Sequence, residues 1–234
     1  MSGRAPVDGR PLLALDTSTE RAFVAVGDGR TDPLAVVSWA ARHRHGEELL
    51  TRISEALDRA GLGRTDVGGI VVGTGPGAFT GLRVGIATAK ALAHGLQLPL
   101  VGVASSTALL EAARASGAAD PLALLLPAGP SDAVLVVAGT DGRSAGPVRL
   151  PGAKRPELPP GSTVLAIDLG DRATPAEAAL GRTALEAFPI ALLALGRGRL
   201  DSMGGDDLAE LVPEYVSLPR GVEREAGGVI LARS

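Results

Sequence analysis

The chain has no cysteine among its 234 residues. That excludes disulfide staples and thiolate metal centres, and it fits a reducing compartment. Aromatic residues are nearly missing as well, at 2%. A core must therefore be built from Ala, Val and Leu, and a stacking surface for single-stranded nucleic acid has little to draw on. There is no basic excess either: the net charge is −3 and the pI about 5.7. Proteins that hold nucleic acid unaided usually carry a basic stripe. Here the longest basic cluster, Arg42-His43-Arg44-His45, is followed at once by Glu47 and Glu48. By inspection no apolar run reaches the roughly 18 residues of a membrane span, because Leu192–Leu195 is broken by Gly196-Arg197. The opening stretch Met1–Pro11 is polar and lacks the apolar middle of a signal peptide. These features lead to the expectation of a soluble cytoplasmic protein.

Catalytic signatures are thin. No G-x-S-x-G elbow and no cysteine nucleophile occur. The three histidines are His43, His45 and His94. The first two stand two apart, which is not the i, i+4 spacing of a helical metal pair, and His94 lies on another helix. All three read as surface or capping residues, so no metal site is expected. The carboxylate pairs Asp206-Asp207 and Glu223/Glu225 fall in polar, loop-like stretches.

What the chain does have is apolar content, 45%, in a legible order. Leu12–Leu15, Ala22–Val26 and Leu34–Trp39 read as strands, with a tight turn at Gly27-Asp28-Gly29-Arg30. Glu47–Ala60 spaces Leu49, Leu50, Ile53, Ala56, Leu57 and Ala60 like one helix face. Gly69–Val72 and Leu100–Val103 are further strands around a second helix. The second half echoes this order faintly. Leu122–Leu126, Val134–Ala138, Val148–Leu150 and Val164–Ile167 read as strands, with turns at Ala128-Gly129-Pro130 and Asp141-Gly142. Ala184–Leu195 reads as a helix that Pro189 should start or kink. Pro151–Gly161 is a loop. Three antiparallel strands followed by βαβ crossovers is the half-unit of the actin-like (ASKHA, ribonuclease-H-like) α/β folds. The expected plan is a duplicated fold of two subdomains, 1–105 and 106–218, each a mixed sheet flanked by helices, then a tail at 219–234.

Gly73-Thr74-Gly75-Pro76-Gly77-Ala78 matches the G-x-G-x-x-[GA] dinucleotide pattern. That pattern expects an acid at the end of the next strand, roughly 20 positions on. Here the strand ends Gly102-Val103-Ala104-Ser105-Ser106, and Pro76 removes one amide donor. Lys90 comes too late for a phosphate-loop lysine. Gly73, Gly75, Pro76, Gly77 and Gly81 are therefore read as a tight structural turn that lets backbones approach. In the helix behind it, Leu82, Ile86, Ala89, Ala93 and Leu96 form an apolar seam, and Arg83, Lys90 and His94 the one polar line. The helix is either a central layer, or one face meets another protein, or both. Asp16, Thr17 and Ser18 end the first strand. They are candidate nucleotide-proximal residues, against a plain turn whose side chains satisfy backbone groups.

The segments "LLALDTSTERAFVAVGDG", "HRHGEELL" and "GGIVVGTGPGAFTGLRVGIATAKALAHGLQLPLVGVAS" closely resemble the TsaB (YeaZ) family over about the first hundred residues. "PEYV" at Pro213–Val216 is similar to its C-terminal signature. The resemblance implies a non-catalytic dimerisation subunit for synthesis of N6-threonylcarbamoyladenosine in tRNA, beside the anticodon. It implies a heterodimer with a TsaD homologue, which carries the metal and the transfer chemistry, and work with the ATPase TsaE. The chain could also form homodimers, and tRNA would be met only through the complex. No tightly bound cofactor is implied; ATP or ADP and a metal belong to the partner or the interface. The first two helices would meet the partner, giving His45, Leu49, Ile53, Leu57, Leu82, Ile86 and Lys90 as interface candidates. TsaD-like chains place a metal-binding histidine pair where this one has Ala104-Ser105-Ser106-Thr107. Two departures stand out. Pro127–Ala133 replaces an Asp-Ala-Arg stretch, and Tyr215-Val216 is followed by Ser217, not arginine. The rival reading is a small-molecule kinase or a glycoprotease-like metallopeptidase of the same fold.

Overall fold

Strands β1 (Leu12–Asp16) and β2 (Arg21–Gly27) are buried along almost their whole length, as strands covered on both faces must be. In the computed structural model, which describes residues 9–41, 45–139, 144–216, 222–225 and 228–231, they are the middle of a five-stranded sheet. Its order is β3-β2-β1-β4-β5, with β3 (Ala35–Ala40), β4 (Gly69–Gly73) and β5 (Leu100–Val103). β1, β2 and β3 are antiparallel, while β4 and β5 run parallel to β1. The parallel pairs need crossovers. Helix α1 (His45–Ala60) links β3 to β4, and α2 (Phe79–Leu96) links β4 to β5.

A second sheet repeats the pattern in the order β8-β7-β6-β9. Its strands are β6 (Leu122–Pro127), β7 (Ala133–Ala138), β8 (Ser144–Leu150) and β9 (Thr163–Ala166). β6, β7 and β8 are antiparallel and β9 is parallel to β6. This is the duplicated actin-like plan, worn in its second copy: the place of α1 is taken by a loop that opens with a short 3-10 turn, Pro151–Ala153. A short pair, β10 (Val222–Glu225) with β11 (Gly228–Leu231), ends the described chain.

Between the two sheets lie α3 (Ser105–Ala115) and α4 (Pro175–Met203). One core joins all of them: Ala14, Phe23 and Val101 from the first sheet, Leu124, Val136 and Leu165 from the second, and Leu109, Phe188 and Leu192 from the helices. Phe188 meets Phe23 edge-on at 5.0 Å. A separate core lies on the other face of the first sheet, under α1 and α2.

Several expectations are corrected. The stretch after Ser105, to which no element is assigned above, is the helix α3. α4 starts nine residues before Ala184, capped by Thr174 and Glu177 in a reciprocal box with Pro175 in its first turn. It runs through Pro189, which is buried inside it. Its length and mean hydropathy of 1.5 match a membrane span, contrary to the reading that Gly196-Arg197 forbids one. In this fold it is the layer between the sheets, and the Arg197 guanidinium donates to the Asp28 and Arg10 carbonyls. The turn after Gly27 is a longer loop to Leu34, held where Asp28 accepts from the amides of Arg30 and Thr31. Glu223 and Glu225 lie in a strand. The Asp141-Gly142 turn, residues 1–8, His43 and Ser217 lie outside the described residues.

The glycine turn behaves as packing geometry requires. A Cβ on Gly73 would sit 1.7 Å from an Asp16 carboxylate oxygen. Gly95, near the exposed end of α2, has nothing within 4 Å of that position. Gly73→Ala is expected to lower unfolding free energy by about 1–3 kcal/mol or more. Gly95→Ala should raise it by about 0.4–1 kcal/mol. Urea denaturation of the two variants checks both signs.

Candidate functional site

Asp16 ends β1 at the point where the chain leaves the sheet, and it is fully buried. A buried carboxylate needs donors, and this one finds three. The Ser18 amide and hydroxyl donate to Oδ1 at 2.7 and 2.6 Å. The Ser105 hydroxyl, first residue of α3, donates to Oδ2 at 2.6 Å. Ser105 Oγ in turn accepts from the Gly75 amide at 3.0 Å. Thr17 turns the other way and donates to the Gly81 carbonyl in α2 at 2.8 Å. Asp16 thus ties β1, the glycine turn and α3 together, and Thr17 adds α2. Burial, the largest influence, pushes its carboxyl above the usual carboxylate range, and the Ser105 and Ser18 hydrogen bonds act against that. Of the candidates Asp16, Thr17 and Ser18, only Ser18 borders open space. The side chains of all three are hydrogen-bonded within the chain.

That open space is a cleft of about 1180 Å³ between the lobes. Ser18 and Thr19, the start of α2 at Pro76–Phe79 and the β6–β7 turn at Pro127–Asp132 form its walls. Tyr215 closes one lip by packing on Phe79, centroids 5.1 Å apart, with the Arg83 guanidinium 5.3 Å from the Phe79 ring. Glu214, just before it, donates its amide to the Thr74 carbonyl, and burial raises its carboxyl. Across the cleft, Asp168 accepts from the Glu20 amide at 2.7 Å. Burial raises the Asp168 carboxyl, and the Glu20 carboxylate adds to that. Asp132 is held below the usual range by the Gly152 amide and then by Arg149. Among the described residues no group of three or more metal-ligating side chains gathers.

The interface candidates separate. Leu49, Ile53, Leu57 and Ile86 are buried in the chain's own core under α1 and α2, and Leu82 is buried as well. An apolar stripe marks the inward face of a helix just as it marks a partner face, and of these five Ile53 and Leu57 also line the groove described below. Lys90 is half-buried on α2. His45 begins α1, and its side chain lies outside the described residues. α2 is buried on one side only, leaving Ala87 and Ala91 exposed, so it is not a central layer of this chain. Beside the buried stripe runs an apolar groove of about 260 Å³, lined by Leu50, Ile53, Leu57, Leu92 and Leu96 among others. Leu50 on its rim is 60% exposed. The groove was missed because Leu50 is one position from Leu49 in an apolar run. Ser105 was missed because nothing local marks it as the partner of a residue 89 positions away.

Residues 36–148 match the family model described as TsaD, tRNA N6-adenosine threonylcarbamoyltransferase. A Haemophilus influenzae protein named tRNA threonylcarbamoyladenosine biosynthesis protein TsaB is 41% identical over 105 residues, 44% of this chain and 42% of its own length. The Escherichia coli protein of the same name is 36% identical over 116 residues, 49% of each chain. This chain therefore matches about half the length of these relatives. Among solved structures, YeaZ from Pseudomonas aeruginosa is 27% identical with a TM-score of 0.64, covering 88% of this chain and 100% of that one. A second structure, titled as an uncharacterized protein with similarity to peptidase YEAZ from the same organism, has 26% identity and a TM-score of 0.66 over 89% and 100%.

The buried carboxylate predicts a pH signature. With its folded pKa above the unfolded one, Asp16 binds its proton more readily in the folded state. Its contribution is therefore most favourable below the unfolded value and is lost as pH rises through the raised folded value. The stability difference between wild type and Asp16→Asn should shrink from acid to neutral pH, read by urea unfolding at several pH values. A difference flat with pH would contradict the assignment. Asp16→Ala, which leaves buried donors without an acceptor, should cost about 1–3 kcal/mol.

Proposed function

We propose that this chain is a member of the TsaB (YeaZ) family and, on that premise, a non-catalytic subunit of a tRNA-modifying complex. In this reading it pairs with and activates a TsaD homologue in making N6-threonylcarbamoyladenosine beside the anticodon. TsaE is the further partner, and any nucleotide or metal is held by the partner or at the interface. tRNA is met through the complex, and the setting is cytoplasmic. The names of the relatives support the tRNA part, and the acidic net charge of −3 fits a chain that leaves RNA binding to others.

The observation that carries the non-catalytic part is the state of Asp16. In a phosphate-handling enzyme of this fold that carboxylate would face ligand and metal. Here both its oxygens are engaged by Ser18 and Ser105. A kinase would have to break a buried network whose donors would lose their acceptor. The α1–α2 groove supports the pairing part. A shallow apolar groove with an exposed leucine on its rim suits a helix packed from outside, and it keeps the first two helices as the partner-facing element while moving contact to Leu50.

Leu50→Asp should leave the melting temperature within a few degrees of wild type, since the side chain is exposed. It should weaken binding to the TsaD homologue about tenfold or more. Ile53→Asp, by contrast, should unfold the chain. Light scattering and calorimetry on the mixed subunits check this. Undiminished pairing of the Leu50 variant would remove the groove from the account, and no complex with wild type would remove the function.

A further inference from the structure

The chain crosses between the lobes through α3 and returns through α4, and α4 divides its contacts between them. Its first half belongs to the second lobe. Glu177 pairs with Arg155, in the loop after β8, at 2.5 Å. Gly181 lies so close to β9 that a Cβ there would be 2.0 Å from the Ala166 carbonyl oxygen. Its second half is fastened to the first lobe. Gly196 sits against β4, where a Cβ would come within 2.3 Å of the Val71 side chain. Arg197 donates to the Asp28 and Arg10 carbonyls, and Asp201 pairs with Arg30 at 2.8 Å. Pro189 stands between the two halves, buried inside the helix. It has no N–H, so the Leu185 carbonyl one turn back loses its helical donor, and the ring crowds that carbonyl. Helices bend at such a residue.

The second observation lies at the other end of the helix. Asp168, shortly before α4 begins, reaches across the cleft and accepts the Glu20 amide at 2.7 Å. Among the described residues no second hydrogen bond or ion pair joins the two walls. Asp168 holds its place at φ 57°, in the left-handed region that suits glycine. Of residues with a side chain, Asp and Asn tolerate it best. A residue kept there is one that its surroundings over-determine. Its neighbours Ile167 and Leu169 are both buried, and what the strained residue itself contributes is the carboxylate across the cleft.

We propose that the two lobes turn on one another about Pro189, and that the Asp168–Glu20 hydrogen bond is the latch that holds the cleft at its present width. The shared core is compatible with this. The Phe188–Phe23 contact lies beside the pivot, where a rotation displaces atoms least. The displacement grows with distance from it. Pro189 lies roughly 21 Å along the helix axis from Pro175. A rigid-body turn of about 15° at that radius moves the cleft mouth by about 5 Å. One hydrogen bond at the end of so long an arm is well placed to choose between the open and the closed arrangement.

The chain has no cysteine, so two introduced cysteines can carry spin labels at chosen points of the full chain. Thr80→Cys and Ser131→Cys place them beside the cleft on opposite lobes, at exposed positions. Double electron–electron resonance should give one narrow distance while the latch is intact. Asp168→Gly removes the acceptor and suits the positive φ, so the fold stays and the distance should broaden and lengthen by about 5 Å. Asp168→Asn keeps an acceptor and tolerates the same backbone, and its distance should match the parent's. Adding Pro189→Ala to Asp168→Gly restores the helical bond and should return the narrow distance. A pair within the first lobe, Ser54→Cys with Thr80→Cys, should read the same in every variant. The proposal is overturned if Asp168→Gly leaves the distance between the lobes unchanged, or if Asp168→Asn opens the cleft as glycine does. It is equally overturned if the cleft stays open with Pro189→Ala, which would put the pivot elsewhere, or if the distance within the first lobe changes too, which would mean local melting and no turn.

Discussion

The carboxylate of Asp16 is the constraint around which the first lobe closes. Among the described residues no cationic side chain pairs with it, and its hydrogen-bond donors come from two places: the turn that follows β1 and the first residue of α3. Ser105 passes the connection on to the Gly75 amide. The glycine turn must then approach so closely that no side chain fits at Gly73. The pattern that resembles a phosphate loop is thus explained by the packing of a carboxylate inside the same chain. The site has the outline of a ligand site and its polar groups are already used.

Around this knot the fold is an apolar sandwich with few large side chains. α3 and α4 lie between the two sheets and share one core with both. Phe188 on Phe23 is the large contact in that layer; elsewhere Ala and Gly let elements sit close. The second lobe has lost the helix that would match α1, and a loop covers its outer sheet face instead. The cleft between the lobes remains, lined by Pro127–Asp132, the Tyr215–Phe79 lip and the polar side chains of Asp168, Arg149 and Arg172.

Much of this was legible in the sequence. The strands of the first lobe were read to within one or two residues, because doubly covered strands are continuous apolar runs bounded by turn residues. The last turns were harder. α3 carries little signal, since its first turn is Ser105-Ser106-Thr107 and its buried face is largely alanine. α4 carried a usable signal in Thr174-Pro175 and Glu177, a capping box with proline behind it, but Pro189 drew attention to the wrong place. The family resemblance and the structural turn at Gly73–Gly81 were both readable. The surface was not, because periodicity cannot tell a stripe that faces the core from one that faces a partner. Leu49, Leu82 and Ile86 are buried, and Ile53 and Leu57 are buried too but also line the groove. Pairings across long sequence distances, such as Asp16 with Ser105, leave no local mark.

Asp16 is proposed to build the fold and to take no part in chemistry. The most direct test is tRNA modification reconstituted with the TsaD homologue and the other components, comparing wild type with Asp16→Asn at a temperature where both are folded and paired. A rate within about threefold of wild type, less than 1 kcal/mol in transition-state terms, is the expected result. A loss of a hundredfold or more by a folded, fully paired variant would mean that Asp16 acts on the reaction, and the account would fail.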